Sequence, residues 1–272
     1  MRQIITVANK EFRDGLRNRW LISITFIFAL LSIGLTYFGA AASGAVGVTS
    51  LSTTVASLAS LAVFLIPLIA LLLSYDSFVG EQESGTLLLL LTYPLSKSQL
   101  LLGKFIGQGS IIALATLLGF GASAVLLYFQ LGDIEILRAF ALFIFSAILL
   151  GLSFTAIAYL ISLSVSEKSK AAGFALITWF VFALAFDLAL LALLVGVEEG
   201  ITQQGLTQLM MLNPTDIFRL INLVGLENTD VNGALSVAIN ASLSQAQLIS
   251  ALIAWVVLPL TLAIFIFKKK TL

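Results

Sequence analysis

The chain has 272 residues, of which 60% are apolar and 10% charged, and its mean hydropathy is +1.09. Water-soluble domains are about half apolar and about a quarter charged, so this composition excludes a soluble globule and favours a protein whose main solvent is lipid. The net charge is zero, which gives no support to nucleic-acid binding. The absence of cysteine and histidine excludes disulfides, thiolate nucleophiles, imidazole bases and Cys/His metal sites.

Lysine and arginine lie in alternate gaps between six long apolar runs. All but two of the 14 basic residues fall near the start of the chain, in 97–104, in 168–170 or in 268–270, and the exceptions are Arg138 and Arg219. Because short loops rich in Lys and Arg stay in the cytoplasm, both termini are predicted to be cytoplasmic and the number of crossings even. We therefore predict an all-α membrane protein with six transmembrane helices.

The start of the chain precedes the first crossing, predicted at about 20–40. Residues 1–19 alternate apolar and basic positions at helical spacing, which predicts an amphipathic helix in the cytoplasmic headgroup layer. The alternative is a solvated basic flank that only sets the topology. The first apolar run is longer than the core of a secretory signal, and Glu11 and Asp14 precede it, so we expect this helix to be retained.

The other five crossings are predicted from apolar runs close to the ~20 residues that span hydrocarbon. These runs cover about 57–75, 105–129, 139–165, 171–195 and 246–267. Residues 76–104 then form a cytoplasmic segment, and residues 196–245 form an outer loop. No internal repeat is visible, so residues 1–272 are expected to form a single domain.

The cytoplasmic segment contains the most specific pattern of the chain. Polar residues 81–86 interrupt a region otherwise apolar enough for lipid, which indicates that something cytoplasmic faces the carboxylates. Ser84 or Thr86 is expected to cap a short helix over 87–91, and Pro94 prevents its continuation. An elbow that only connects two helices needs the polar cap but not five consecutive leucines. The pattern therefore favours docking of a partner protein. The candidate coupling residues are Glu81, Glu83, Ser84, Gly85, Thr86 and Leu87.

The order of several motifs resembles the permease subunits of ABC-2-type transporters. These are the basic amphipathic start, E-x-E-S-G-T at 81–86, five leucines, Y-P-L-S-K at 93–97 and L-x-G-K-F at 101–105. The resemblance covers the whole chain and implies a type V-like exporter fold, a homodimer and a coupling helix that docks on a cytoplasmic ATPase. The stretches at 8–20 and 212–219, ANKEFRDGLRNRW and LNPTDIFR, resemble the membrane subunits of NosDFY transporters, which mature nitrous oxide reductase.

The sequence contains no ATP-binding loop of its own. The only Gly-Lys pair, Gly103 and Lys104, is followed by Phe105 rather than by Ser or Thr, so no G-x-x-x-x-G-K-[ST] motif is present. No cofactor is expected in this chain; the resemblance implies that a NosF-like partner ATPase binds ATP and Mg²⁺. The chain is therefore predicted to be a transporter subunit and not an enzyme.

Asp187 is the only ionisable residue well inside a predicted crossing, about 25 Å from its cytoplasmic end at ~1.5 Å per residue. An acid within a membrane is a functional candidate by default. Near the outer edge it can also be hydrated or hydrogen-bonded to a neighbouring helix.

The outer loop contains a predicted amphipathic helix. Asn213 is expected to cap it, Pro214 to occupy its first turn and Asp216 to lie near the positive end of its dipole. Its apolar stripe either packs on the bundle or binds an external protein, and the resemblance implies a NosD-like periplasmic partner for which Arg219 is a further contact candidate. No metal site is predicted; Met210 and Met211 are weak candidates that more often mark apolar packing.

The preferred function is a permease that transmits ATP hydrolysis across the membrane, and the resemblance implies a role in supplying the copper sites of nitrous oxide reductase. Without a ladder of soft ligands, transport of another species, such as a sulfur compound, or mechanical action is favoured over copper passage. An ABC-2 exporter of lipid, polysaccharide or a small hydrophobic compound is the runner-up. A channel or proton-coupled carrier using Asp187 needs no ATPase, and an intramembrane enzyme lacks a nucleophile and base pair.

Overall fold

The computed structural model describes residues 2–17, 19–38, 51–196, 203–223 and 244–270. Within these ranges the chain is helical: α1 Arg2–Arg17, α2 Trp20–Phe38, α3 Leu51–Ser74, α4 Val79–Glu83, α5 Thr86–Thr92, α6 Lys97–Leu131 and α7 Glu135–Ser164. They are followed by α8 Lys168–Phe180, a π-helix Val181–Ala185, α9 Phe186–Gly196, α10 Gln203–Met210, α11 Pro214–Leu223 and α12 Gln245–Lys269.

Six helical stretches of the described chain are long and apolar enough to cross a membrane, which confirms the predicted number of crossings. They are 21–38, 51–83, 97–131, 135–164, 168–196 and 245–269. Several helices extend beyond the predicted hydrocarbon segments: α3 begins at Leu51 rather than near 57, and α6 begins at Lys97 rather than near 105. A capping box explains the early start of α6, because Ser96 and Gln99 bond each other's backbone.

The fourth crossing, α7, lies at the centre of the bundle and packs against α3, α6 and α12. In its most apolar stretch 61% of residues are buried, against 11% in the fifth crossing. The main core contains stacked and edge-on aromatic pairs, including Phe28 with Phe120 and Phe120 with Phe143. The fifth crossing is thus mostly exposed, and its specific contacts lie at its start and around its middle, where Trp179 Nε1 donates to the carbonyl oxygen of Phe64 in α3 at 2.9 Å.

Helix α1 packs along the start of α6, as well as presenting a basic face. A Cβ atom added to Gly103 would lie 2.5 Å from the Cβ of Val7, and one added to Gly107 would lie 2.6 Å from the Cβ of Glu11. Contacts this short show that only glycine allows α1 and α6 to approach so closely. The predicted amphipathic helix therefore lies against the bundle, with Ile5 still exposed.

Helix α1 and the end of α12 both bond to residues 94–97, which join α5 to α6, and we call this face of the bundle the terminal face. Gln3 donates from Nε2 to the carbonyl oxygen of Pro94 at 2.5 Å, and Lys97 donates from Nζ to that of Lys270 at 2.6 Å. The opposite face carries the α6–α7 turn, α10 and α11. Both described ends lie at the same face of the bundle, as an even number of crossings requires.

Helix α11 packs on the bundle, which is the first of the two alternatives that the sequence left for its apolar stripe. It is inserted between α3, α7, the π-helix and α12, and all its residues except Arg219 are buried. The polar residues of α11 can be buried because they have hydrogen-bond partners on other helices. Asn222, for example, donates from Nδ2 to Ser146 Oγ of α7 at 2.9 Å. Its apolar stripe, including Ile217, Leu220 and Ile221, packs against α9, α10 and α12.

Candidate functional site

The segment between α3 and α6 folds as a two-helix elbow at the terminal face, comprising α4 and α5. The predicted short helix over 87–91 is present as Thr86–Thr92. The expected side-chain cap is not formed. Gly85, with φ of +73°, occupies the cap position, and the helix has no capping hydrogen bond from a side chain. Ser84 and Thr86 instead bond each other through their hydroxyls at 2.8 Å. A left-handed φ is available to glycine at little cost, so Gly85 makes the sharp turn between the two helices.

Glu81 of the elbow faces into the protein and pairs with Lys104. The ammonium group of Lys104 lies 2.7 Å from Glu81 Oε1 and 3.2 Å from Glu11 Oε1, and its side chain is 3% exposed. A buried cation is tolerated only with charged partners close by. One lysine of α6 therefore joins α1, α4 and α6, and sequence analysis missed it because Lys104 counted only as a topology signal.

The neighbouring carboxylates of the elbow hold the start of α8. Glu83 Oε1 accepts the backbone N–H of Lys168 at 2.6 Å, and Asp76 Oδ2 lies 2.7 Å from the Nζ of the same residue. The first carboxylate satisfies an N–H group that the helix leaves free and interacts favourably with the positive end of its dipole. The elbow is thereby tied to the fifth crossing at two points.

Polar groups beneath the elbow form a buried hydrogen-bonded chain. Tyr159 donates its hydroxyl to Gln108 Oε1 at 3.0 Å, and Gln108 donates from Nε2 to Ser77 Oγ at 2.8 Å. Ser162 Oγ accepts the backbone N–H groups of Phe78 and Val79 at 3.0 and 3.1 Å. A satisfied polar network of this kind fixes geometry, so the base of the elbow is held rigidly on α6 and α7.

The outward surface of the elbow is mostly apolar. Leu88, Leu89 and Tyr93 are 57%, 65% and 64% exposed, whereas Leu87 is buried. Of the six predicted coupling residues, only Ser84, Gly85 and Thr86 are exposed with bonds that stay within the elbow. We call Ser84–Thr86 together with Leu88, Leu89 and Tyr93 the docking surface.

A second polar cluster lies at the opposite face, where α9 meets α11. Arg219 Nη1 donates to Asp187 Oδ2 at 2.5 Å and to Asp216 Oδ1 at 3.2 Å. Burial raises the pKa of Asp216 from 3.8 to about 8, the charge of Asp187 adds to the rise, and Arg219 and Asn213 oppose it. Asp187 is therefore a partner of a neighbouring helix, which is one of the two alternatives left by the sequence.

The same end of α11 also binds the π-helix. As predicted, Asn213 caps α11, accepting the N–H of Thr215 at 3.0 Å, and Pro214 is its first residue. Asn213 Nδ2 and Thr215 Oγ1 both donate to the carbonyl oxygen of Phe182, at 2.9 and 3.1 Å. π-Helical turns displace carbonyl groups from the regular α-helical ladder and often mark functional sites. The helix α11 is thus fastened to the fifth crossing by its capping residues.

The weak metal candidates lie beside this cluster. Met210 is buried in an apolar group with Leu206, Ile217 and Leu248. The carbonyl oxygen of Met211 accepts the indole N–H of Trp255 at 3.1 Å. Among the described residues there is no group of three or more Asp, Glu, His or Cys side chains placed to hold a metal ion. Apolar packing accounts for Met210.

Comparison with known proteins gives a family and two close relatives. A family model described as "ABC-2 family transporter protein" matches residues 5–272. A protein from Pseudomonas aeruginosa named "Probable ABC transporter permease protein NosY" is 52% identical over 268 residues, covering 97% of this chain and 98% of the relative. A protein of the same name from Stutzerimonas stutzeri is 52% identical over 274 residues, covering 99% of each chain.

Proposed function

The chain is a permease of the ABC-2 transporter family, and on this premise we propose that it couples ATP hydrolysis by a cytoplasmic ATPase to maturation of the copper sites of nitrous oxide reductase. The family resemblance drawn from the motifs is confirmed, and the chain is a membrane transport component rather than an enzyme. The proposed assembly is a homodimer in the bacterial inner membrane with two NosF-like ATPase subunits, which bind the ATP and Mg²⁺, and a NosD-like periplasmic partner.

One observation supports the coupling part of this proposal above the others: a rigidly held elbow presents an exposed apolar surface at the terminal face. Leu88, Leu89 and Tyr93 are large side chains with no intramolecular reason to be exposed, and exposed apolar patches mark interaction sites. The distribution of Lys and Arg supports a cytoplasmic location of this face. The ATPase docks on the docking surface, while Glu81 and Glu83 transmit its motion inward.

The fifth crossing is the proposed route of transmission. Its start is held by Glu83 and Asp76 of the elbow segment, and its π-helix and Asp187 are held by α11. Between these points few of its residues are buried, and Trp179 bonds the carbonyl oxygen of Phe64 in α3. The first half of this crossing therefore acts as a rod that is attached to the elbow at its start and to α11 near the middle of the crossing. A displacement of the elbow then reaches α11 and the periplasmic partner.

This geometry favours mechanical action, or passage of a species other than copper, over copper transport through the helices. The chain has no cysteine or histidine, and the described part of it has no group of three or more acidic side chains placed to hold a metal ion. Copper uptake by vesicles that contain only this permease and its ATPase would contradict this part of the proposal.

The experiment that tests the proposal uses the double variant L88D/L89D. Both residues are exposed, so folding is preserved, while two carboxylates replace the apolar contact. We expect loss of ATPase co-purification and a low copper content of nitrous oxide reductase in cells that carry the variant. The matched control is T6D/N9D, which adds the same charge on exposed positions of α1 and is expected to retain both.

Three results would contradict the proposal. Normal ATPase binding by L88D/L89D would exclude the elbow as the docking site. Loss of the ATPase with normal copper content of the reductase would exclude the maturation role and favour the exporter of lipid, polysaccharide or a small hydrophobic compound. Solute flux through the purified permease alone would favour the channel or carrier.

A further inference from the structure

A cavity of about 500 Å³ opens at the terminal face between α4, the α7–α8 turn and the last turn of α12. Its polar lining includes Gln82, Ser166, Lys269 and Lys270, and its apolar wall includes Val165 and Phe265. The cavity lies where α7 and α12 end, which is the level at which spanning helices leave the hydrocarbon. Neither the coupling contacts nor the α11 cluster uses it.

Three lysines around this cavity have only neutral partners among the described residues. Lys270 Nζ donates to the carbonyl oxygen of Leu163 at 3.0 Å, Lys97 Nζ donates to that of Lys270, and Lys269 Nζ lies 4.2 Å from the centre of the Phe265 ring. Five other basic residues at this face have a carboxylate within 4.0 Å, namely Lys10, Arg17, Lys104, Lys168 and Lys170. Among the described residues Arg2, Arg13, Arg19 and Lys268 have none, but they do not line this cavity. The cavity is therefore locally electropositive.

Helix dipoles do not neutralise this charge. The C-terminal ends of α7 and α12 meet here, and each carries about half a negative charge. Together they offset about one of the three ammonium groups, which leaves a surplus of roughly two positive charges. Burial without a carboxylate also lowers the pKa of Lys270, which is the effect that a bound anion would oppose.

The surface next to the cavity is suited to a hydrocarbon tail. Leu258, Leu262 and Phe265 follow one another along α12 and are 67%, 50% and 53% exposed. A stripe of this kind leads from the hydrocarbon to the cavity and ends beside Lys269. A ligand with a phosphate group and acyl chains matches both surfaces, whereas a free phosphate uses only the lysines.

We propose that this cavity binds the headgroup of an anionic phospholipid, with the phosphate beside Lys269 and Lys270 and an acyl chain along the stripe of α12. Ser166 and Gln82 supply hydrogen-bond donors to the headgroup. Because Gln82 belongs to the elbow, the bound lipid lies next to the coupling segment. The site is independent of the proposed cellular role and can be tested on the permease alone.

The test measures lipid binding to the purified permease by native mass spectrometry and by its thermal unfolding midpoint. The probes are phosphatidylglycerol, phosphatidylcholine and inorganic phosphate. We expect phosphatidylglycerol to be retained and to raise the midpoint of the wild type. In K269Q/K270Q its preference over phosphatidylcholine falls roughly 25-fold, since each surface lysine contributes about fivefold. The charge-conserving K269R/K270R and the ion-paired control K170Q are expected to keep the preference.

Three outcomes would overturn the proposal. Equal retention of phosphatidylglycerol by K269Q/K270Q would show that the lysines do not hold it. Equal effects of phosphatidylcholine and phosphatidylglycerol on the wild type would exclude recognition of the charge. An equal rise of the midpoint with inorganic phosphate would identify a free anion, rather than a lipid, as the ligand.

Discussion

Replacing Lys104 by methionine removes the cation that joins α1, α4 and α6. Glu81 then loses its partner at 2.7 Å, and Glu11 loses the one at 3.2 Å. The second oxygen of Glu81 is already buried without a hydrogen bond within the described part of the chain, so no described group compensates for the loss. Removing one member of a buried ion pair costs about 3–5 kcal/mol because an uncompensated charge remains. We expect K104M to be destabilised by that amount.

Thermal unfolding in nanodiscs, followed by tryptophan fluorescence, measures the effect. At about 2–4 °C per kcal/mol for a chain of this size class, the midpoint of K104M should fall by roughly 10 °C. K170M is the control, because Lys170 and Glu167 are 57% and 53% exposed and such pairs contribute about 0–1 kcal/mol. The double variant K104M/E81Q removes both charges of the shorter pair and should recover more than half of the loss.

The reasoning fails if K104M unfolds at the same temperature as K170M. It also fails if K104M/E81Q is no more stable than K104M, because the cost would then arise from lost packing of the lysine stem rather than from the buried carboxylate.

The remaining predictions concern helix packing and the α11 cluster. G107A should separate α1 from α6 and weaken ATPase stimulation, because the added Cβ meets Glu11 at 2.6 Å; G121A in the same helix, with nothing within 4 Å of its added Cβ, should keep normal stimulation and stability. R219M should lower the unfolding midpoint by several degrees, since it leaves Asp187 and Asp216 without their shared cation, and R219M/D187N should recover part of it. The contribution of Asp216 to the free energy of unfolding should fall as the pH rises from about 4 through 8. The reason is that the pKa of Asp216 in the folded protein is raised to about 8, so the unfolded chain releases this proton at lower pH than the folded one. In D216N this component of the pH dependence should be absent.

The sequence predicted those features that depend on composition and local spacing. The six crossings followed from hydrophobic runs that need no partner to be recognised. The elbow helix and the cap of α11 followed from short motifs around Gly85 and Asn213, where backbone conformation is decided within a few residues.

Tertiary contacts were not predictable in the same way. The pairing of Lys104 with Glu11 joins residues far apart in the chain, and the hydropathy pattern treats a buried lysine and an exposed one alike. The apolar stripe of α11 was predicted, but the partners of its polar residues were not, because groups such as the carbonyl of Phe182 and the hydroxyl of Ser146 come from other helices. The spacing of Gly103 and Gly107 is typical of close helix packing, but spacing alone does not identify α1 as the neighbour that the structure shows.

Transmission from the elbow to α11 can be measured most directly with one spin label. The chain has no cysteine, so Leu212→Cys, at an exposed position just before α11, can be labelled selectively, and in the proposed homodimer it reports one distance between the two copies. ATP binding to the assembled transporter should shift this distance distribution, and Glu83→Ala, which removes the carboxylate at the start of α8, should abolish the shift. A distribution that ATP leaves unchanged, or a shift that persists in Glu83→Ala, would contradict the account.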